Sequence, residues 1–233
     1  GLNKMKYLIR AGVTMLLILA LLLVFHKPII NRLVAPYLMN HSYERISKED
    51  FQKNDEYLKN NRTNPNDDIS FDFRAVKPIN LLDIKDVEFN SNYVVGKITI
   101  PSVHLNLPIL YGVSNNNLWF GACTMKPNQK FGQGNFALAG HTMANQNLLF
   151  TPLHSIKKGD RVYITNGQNI YVYQTNNIEI VSPDHGEVIN DTDESTITLV
   201  TCSDVYGKER LIVQGQLLAT ETKTKKNLNI FNI

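Results

Sequence analysis

The 233-residue chain has only two cysteines, Cys123 and Cys202. Two thiols cannot make a disulfide framework, although a single bridge between them stays open. They do not share metal-ligand spacing, which argues against a zinc module. Acidic residues are missing from residues 1–32, which carry Lys4, Lys6, Arg10, Lys27 and Arg32. The net charge of +3 is therefore an N-terminal effect, and the remaining residues sum to −2. No basic stripe is left to argue for nucleic acid as a partner. There is no internal repeat and no long low-complexity tract. A second long apolar run is absent too: the C-terminal ETKTKKNLNIFNI (221–233) is polar at first and too short to span a bilayer.

One such run is present. Residues 11–25, AGVTMLLILALLLVF, hold no charge. With Tyr7, Leu8 and Ile9 they approach the ~20 residues that cross a membrane. The basic residues ahead of them favour a cytoplasmic N-terminus. No small-x-small site follows Phe25, so residues 1–30 read as an uncleaved signal anchor rather than a cleaved signal peptide. A buried core helix fits poorly with the basic flanks. The anchor would leave everything after residue 30 outside the cytoplasm. Residues 31–70 read as a polar spacer. Ser47-Lys48-Glu49-Asp50 resembles a helix start, and 47–60 can form an amphipathic helix with Phe51, Tyr57 and Leu58 on its apolar face. ISFDFRA (69–75) alternates and predicts an extended segment laid against the domain, and 81–87 a short helical turn.

From Tyr93 onward short β-patterned runs dominate: 94–100, 104–110, 135–141, 161–165, 169–181, 196–202 and 209–217. Gly, Asn and Asp clusters separate them. The pattern predicts a mostly β domain over 71–220, a sandwich or barrel, with one helical piece near 148–156 and a C-terminal tail over 221–233.

The chemistry centres on TITLVTCS, 196–203. Every residue from Thr196 to Thr201 is β-branched or Leu, as in a buried strand. Alternation puts Ile197, Leu199 and Thr201 on one face, and Thr198, Val200 and Cys202 on the other. Taken alone, Cys202 is either a small buried hydrophobe or a nucleophile at a strand end. A thiol nucleophile needs a proton partner, most often a histidine. Of six, His26 borders the apolar run and His41 lies in the spacer. His104 falls in a strand, His154 in the helical piece and His185 in a loop. His141 ends the strand FALAGH and shares a face with Ala137 and Ala139, small residues that leave room for a ligand. Its bland alternative is a strand cap bonded to backbone. Arg210 shares a face with Ile212 and Gln214, and the loop 203–208 lets its strand pair with that of Cys202. A guanidinium there offers a planar fork of donors to a carbonyl or an oxyanion.

TLVTC ending at Cys202, ALAGH ending at His141 and Arg210 eight residues past the cysteine together resemble a class A sortase. The resemblance covers residues 70–220 and the N-terminal anchor. It implies an eight-stranded sortase-type β-barrel with one or two short helices. It also implies transpeptidation on surface proteins carrying a Leu-Pro-x-Thr-Gly-type signal. Cys202 would attack the Thr-Gly carbonyl, His141 would protonate the leaving amine, and Arg210 would hold the substrate oxygen. An amine of the peptidoglycan precursor would then resolve the thioacyl enzyme. The family's groove positions fall on Ala139, Val181, Pro183, Val188, Ile189, Val200 and Ile212. Thr201 is a further motif position whose side chain should face away.

Some class A members bind calcium through acids in the loop ahead of the His strand. Here that stretch, 120–135, has no Asp or Glu and carries Lys126 and Lys130. Asp191, Asp193 and Glu194 alone make a poor site, so no metal and no other cofactor is expected. Cys123 matches no family role. A pilin-polymerising sortase would carry an Asp-Pro-aromatic lid and a C-terminal span, and neither is seen. A hydrolytic cysteine protease would share the same thioacyl intermediate. A membrane-anchored binding module would have no reason to converge Cys, His and Arg on strand ends.

Overall fold

The computed structural model describes residues 1–43, 46, 51, 53–54, 69–73, 87–144, 147–204 and 206–232. Two units are separable, 1–38 and 39–233. The first is built on α1 (Leu2–Ile29). Its segment Leu2–Phe25 is long and apolar enough to cross a membrane. Pro28 removes a backbone donor near its end, and a π-helical stretch, Ile30–Val34, follows before α2 (Ala35–Tyr43). The stretch after the apolar run is thus helical as far as Tyr43.

The second unit is a closed barrel of eight strands in the order β1-β2-β3-β4-β7-β8-β6-β5. They are β1 (Val94–Ile100), β2 (Leu105–Leu110), β3 (Ala122–Thr124), β4 (Asn135–Ala139), β5 (Arg161–Thr165), β6 (Asn169–Val181), β7 (Thr196–Cys202) and β8 (Arg210–Thr222). The β2–β3 and β4–β7 pairs are parallel and the others antiparallel. Closure removes exposed strand edges. The interior is filled by Ile98, Ile109, Phe136, Leu138, Ile197, Leu199 and Val213, each at most 1 % exposed.

Seven of the eight strands follow the alternation in the sequence. The eighth, β3, lies inside the stretch expected to be loop and carries Cys123. His104 is not in a strand: it closes a 3-10 turn, Pro101–Val103, with φ +54°. The expected helical piece is a 3-10 helix, Thr151–Ser155, and a one-turn α3 (Asn115–Leu118) joins it. β8 runs five residues past its expected end. The residues beyond it form α4 (Lys225–Leu228) and a final 3-10 turn. Leu228 and Phe231 there pack on Ile170 and Val172, and burying Phe231 alone contributes ~2 kcal/mol. Lys97 and Asn106 both donate to the Phe231 carbonyl, so this end is part of the fold.

The expected extended segment is present over 69–73. Ser70 bridges Val113, and the Phe71 ring meets Tyr111 edge-on at 5.4 Å. Most of the expected helix over 47–60, and residues 74–75 and 81–86, lie outside the described residues. Of the described positions in that helix, Phe51 is fully buried, and Asn54 donates to the carbonyls of Ser91 and Val94.

Candidate active site

Three neighbouring strands set the site. In the β7–β8 ladder Cys202 is the direct partner of Arg210. Opposed residues of an antiparallel pair share a face, so thiol and guanidinium emerge side by side. On the other side of β7, parallel β4 pairs Ala139 with Val200. The Gly140 N–H continues that ladder to the Val200 carbonyl at 3.0 Å. Carried one residue further, the register sets His141 level with Cys202. A side chain at Gly140 is impossible: its Cβ would lie 2.5 Å from the buried Phe150 ring. The Phe150 N–H in turn donates to the His141 carbonyl and fixes the backbone beyond the strand.

Burial sets the charges. His141 is 5 % exposed, and desolvation pushes its imidazole down to about 4. Cys202 is half-buried, and its thiol is raised chiefly by burial. Arg210 pulls it back down, and Asp204 pushes it further up. Burial thus disfavours the charged form of both the thiol and the imidazole. Arg210 Nη1 donates to the carbonyls of Gly207 at 2.8 Å and Glu209 at 3.3 Å. One face of its guanidinium stacks on Phe73, 5.2 Å from the ring centre.

The groove positions divide into two sets. Ala139, Val200 and Ile212 form one continuous row across β4, β7 and β8. All are at most 3 % exposed, so the row is a covered floor rather than an open wall. Val181 is the register partner of Arg210 on β6. Pro183, Val188 and Ile189 are half-buried in the β6–β7 connection, the last two in a 3-10 turn. That connection is tied over the same face. Asn135 Nδ2 donates to the Val188 and Asn190 carbonyls, Thr198 Oγ1 donates to Asn135 Oδ1, and Thr198 also reaches the Val188 carbonyl at 3.4 Å.

Further polar residues lock the site, and of these only Thr201 is a motif position in the sequence, with its side chain facing away as expected. Thr201 points away from the groove, and its hydroxyl donates to the Gly140 carbonyl at 2.7 Å, pinning the His strand to the Cys strand. Thr142 donates to the Cys202 carbonyl at 2.6 Å and lies 2.9 Å from Thr201 Oγ1. His154 Nε2 sits 3.2 Å from Thr142 and backs this lock rather than meeting the thiol. Spacing to the next strand end finds neither Thr142 nor its contact with His154, because both depend on the parallel β4–β7 pairing.

A closed barrel that brings a thiol, an imidazole and a guanidinium to adjoining strand ends defines a cysteine enzyme of acyl transfer. The sortase domain family matches residues 98–218. Sortase A of Streptococcus agalactiae is 41 % identical over 216 residues, covering 89 % of this chain and 83 % of that protein. Sortase A of Listeria monocytogenes is 33 % identical over 215 residues, covering 91 % and 92 %. The crystal structure of a Listeria monocytogenes sortase A superposes with a TM-score of 0.59 at 37 % identity, over 60 % of this chain and 99 % of that one. The chain belongs to the sortase family, as a class A member, and is a cysteine transpeptidase.

Proposed function

We propose that this sortase cleaves a Leu-Pro-x-Thr-Gly-type sorting signal between Thr and Gly and transfers the surface protein to an amine of the peptidoglycan precursor. The observation that carries the reading is the Cys202–Arg210 register pair with His141 level beside it. Cys202 attacks the Thr carbonyl as its proton passes to His141. Arg210 donates to the oxygen that gains charge. The C–N bond to Gly breaks as His141 returns the proton to the leaving amine, leaving a thioester on Cys202. The acceptor amine attacks that thioester, loses its proton to His141, and expels the thiolate, which takes the proton back. Val181, Pro183, Val188 and Ile189 offer apolar surface for Leu and Pro, and Ala139, Val200 and Ile212 underlie it.

Helix α1 serves as the membrane anchor, with its basic end cytoplasmic and the barrel outside. The reaction needs no calcium. The Asp191 carboxylate already has a cation partner in Lys126, which holds it below the usual carboxylate range. EGTA is expected to leave the rate unchanged, and a large loss would overturn that statement.

The test is incubation with a Leu-Pro-x-Thr-Gly peptide and an amine acceptor. The expected result is an amide product joined at Thr, with a Cys202 acyl adduct trapped on acid quench. Absence of Thr–Gly cleavage sinks the signal. Cleavage with no Cys202 adduct under any quench sinks the thioester route.

A further inference from the structure

We propose that Asp204 is a positioning residue for the transpeptidase reaction, shaping the β7–β8 loop so that Arg210 is held beside Cys202. This rests on the reading of Cys202 as nucleophile and Arg210 as oxyanion donor. Asp204 Oδ1 accepts from the backbone N–H groups of Tyr206 at 2.8 Å and Gly207 at 2.7 Å, with that of Lys208 at 3.5 Å. The next link is the Gly207 carbonyl, which accepts from Arg210 Nη1 at 2.8 Å. Gly207 has φ +70°, and a Cβ there would lie 3.7 Å from Cys202 Sγ and 3.9 Å from Arg210 Nη1. The backbone that Asp204 organises thus passes directly over the reacting pair. The Ser203 N–H to Glu209 carbonyl bond closes the same loop at its base.

The carboxylate also carries a cost. Among the described residues, the charged groups acting on the thiol are Arg210 on β8 and Asp204 itself, and the β4–β7 register sets His141 level with it. Asp204 disfavours the thiolate that Arg210 favours. Its presence beside the nucleophile is explained by the hydrogen bonds, not by the charge. An amide at position 204 keeps the acceptor oxygen and drops the charge, whereas alanine drops both.

The test compares Asp204→Asn with Asp204→Ala in the full chain in detergent. Peptide turnover is expected to fall about tenfold in kcat for Asp204→Ala, the order of one hydrogen bond to a charged group. Asp204→Asn is expected to recover most of that loss. Equal loss in both variants, or none in Asp204→Ala, overturns the proposal. A second readout needs no substrate: the pH dependence of Cys202 alkylation by iodoacetamide. Both variants lose the same charge, so their thiols differ only through Arg210. The thiol of Asp204→Ala is expected to titrate about half a pH unit or more above that of Asp204→Asn. Coincident profiles overturn the proposal. If the wild type cleaves no sorting-signal peptide, the signal reading fails, and the alkylation pair still decides the role of Asp204.

Discussion

Cys123 and Cys202 sit in the same sheet, two strands apart, yet they are prepared for opposite fates. Cys123 pairs with Ala139 across β3–β4, and Ala139 pairs with Val200, two residues short of Cys202. Cys123 is fully buried, its Sγ lies 3.9 Å from the Gly121 carbonyl, and burial pushes its thiol far above the ordinary range. Cys202 stands at a strand end, half-buried, with a guanidinium opposite it. The same side chain is a small hydrophobe where the ladder continues and, in the proposed reaction, the nucleophile where it stops. Position along the strand and one cationic neighbour make the difference, since a thiolate needs both access and charge compensation.

The largest effect expected from breaking this contrast is at Cys202 itself. Cys202→Ala is expected to abolish turnover, and methanethiosulfonate is expected to modify Cys202 alone at neutral pH, read by peptide mapping. Failure to label Cys202, or equal labelling of Cys123, would erase the comparison. His141→Ala is expected to cost about a thousandfold in kcat, because among the described side chains no other imidazole lies at the strand end level with Cys202. Arg210→Lys is expected to lose about tenfold or more, since lysine keeps the charge but not the fork. A near wild-type rate in that variant would refute the oxyanion role.

Burial of the imidazole also leaves a mark on stability. The folded His141 titrates near 4 against an ordinary 6.5, so the unfolded chain binds more protons between those values. Its contribution is present above pH 6.5 and is lost as pH falls through 4, by the order of 3 kcal/mol at most. The Tm of the wild type is therefore expected to fall more steeply from pH 7 to 4.5 than that of His141→Gln. Parallel curves would place the imidazole in water.

The sequence makes the Cys202 half of the comparison readable and hides the Cys123 half. Alternation in 196–202 and 135–141 predicts the strands and their faces, although β4 stops at Ala139, two residues before His141, and the parity of Ala139, Val200 and Ile212 returns as one row across three strands. Strand-end position and parity single out His141 among six histidines, and the family motifs favour it over the bland reading of a strand cap. β3 is only three residues long, too short for alternation to register, so Cys123 reads as loop. Thr142, Asn135 and Asp204 escape for another reason. Their partners, backbone carbonyls and N–H groups together with side chains of other elements, are set by barrel closure or by a turn, and no spacing rule encodes those. The final turn escapes because Leu228 and Phe231 are too few to form a period.

The smallest expected effect lies at Cys123, and it is the sharpest check on the comparison. Cys123→Ala should leave peptide turnover within about twofold, because the thiol is buried inside the sheet and its hydrogen bond goes to a backbone carbonyl. It should cost about 1 kcal/mol of stability, since it empties a filled site between β2 and β4. For a chain of this size that lowers Tm by about 2–4 °C. A rate loss exceeding the stability loss would mean that Cys123 communicates with the groove through Ala139, its register partner. A fall in Tm with an unchanged rate supports the division of the two thiols, Cys123 filling the sheet and Cys202 left to react from its end in the proposed mechanism.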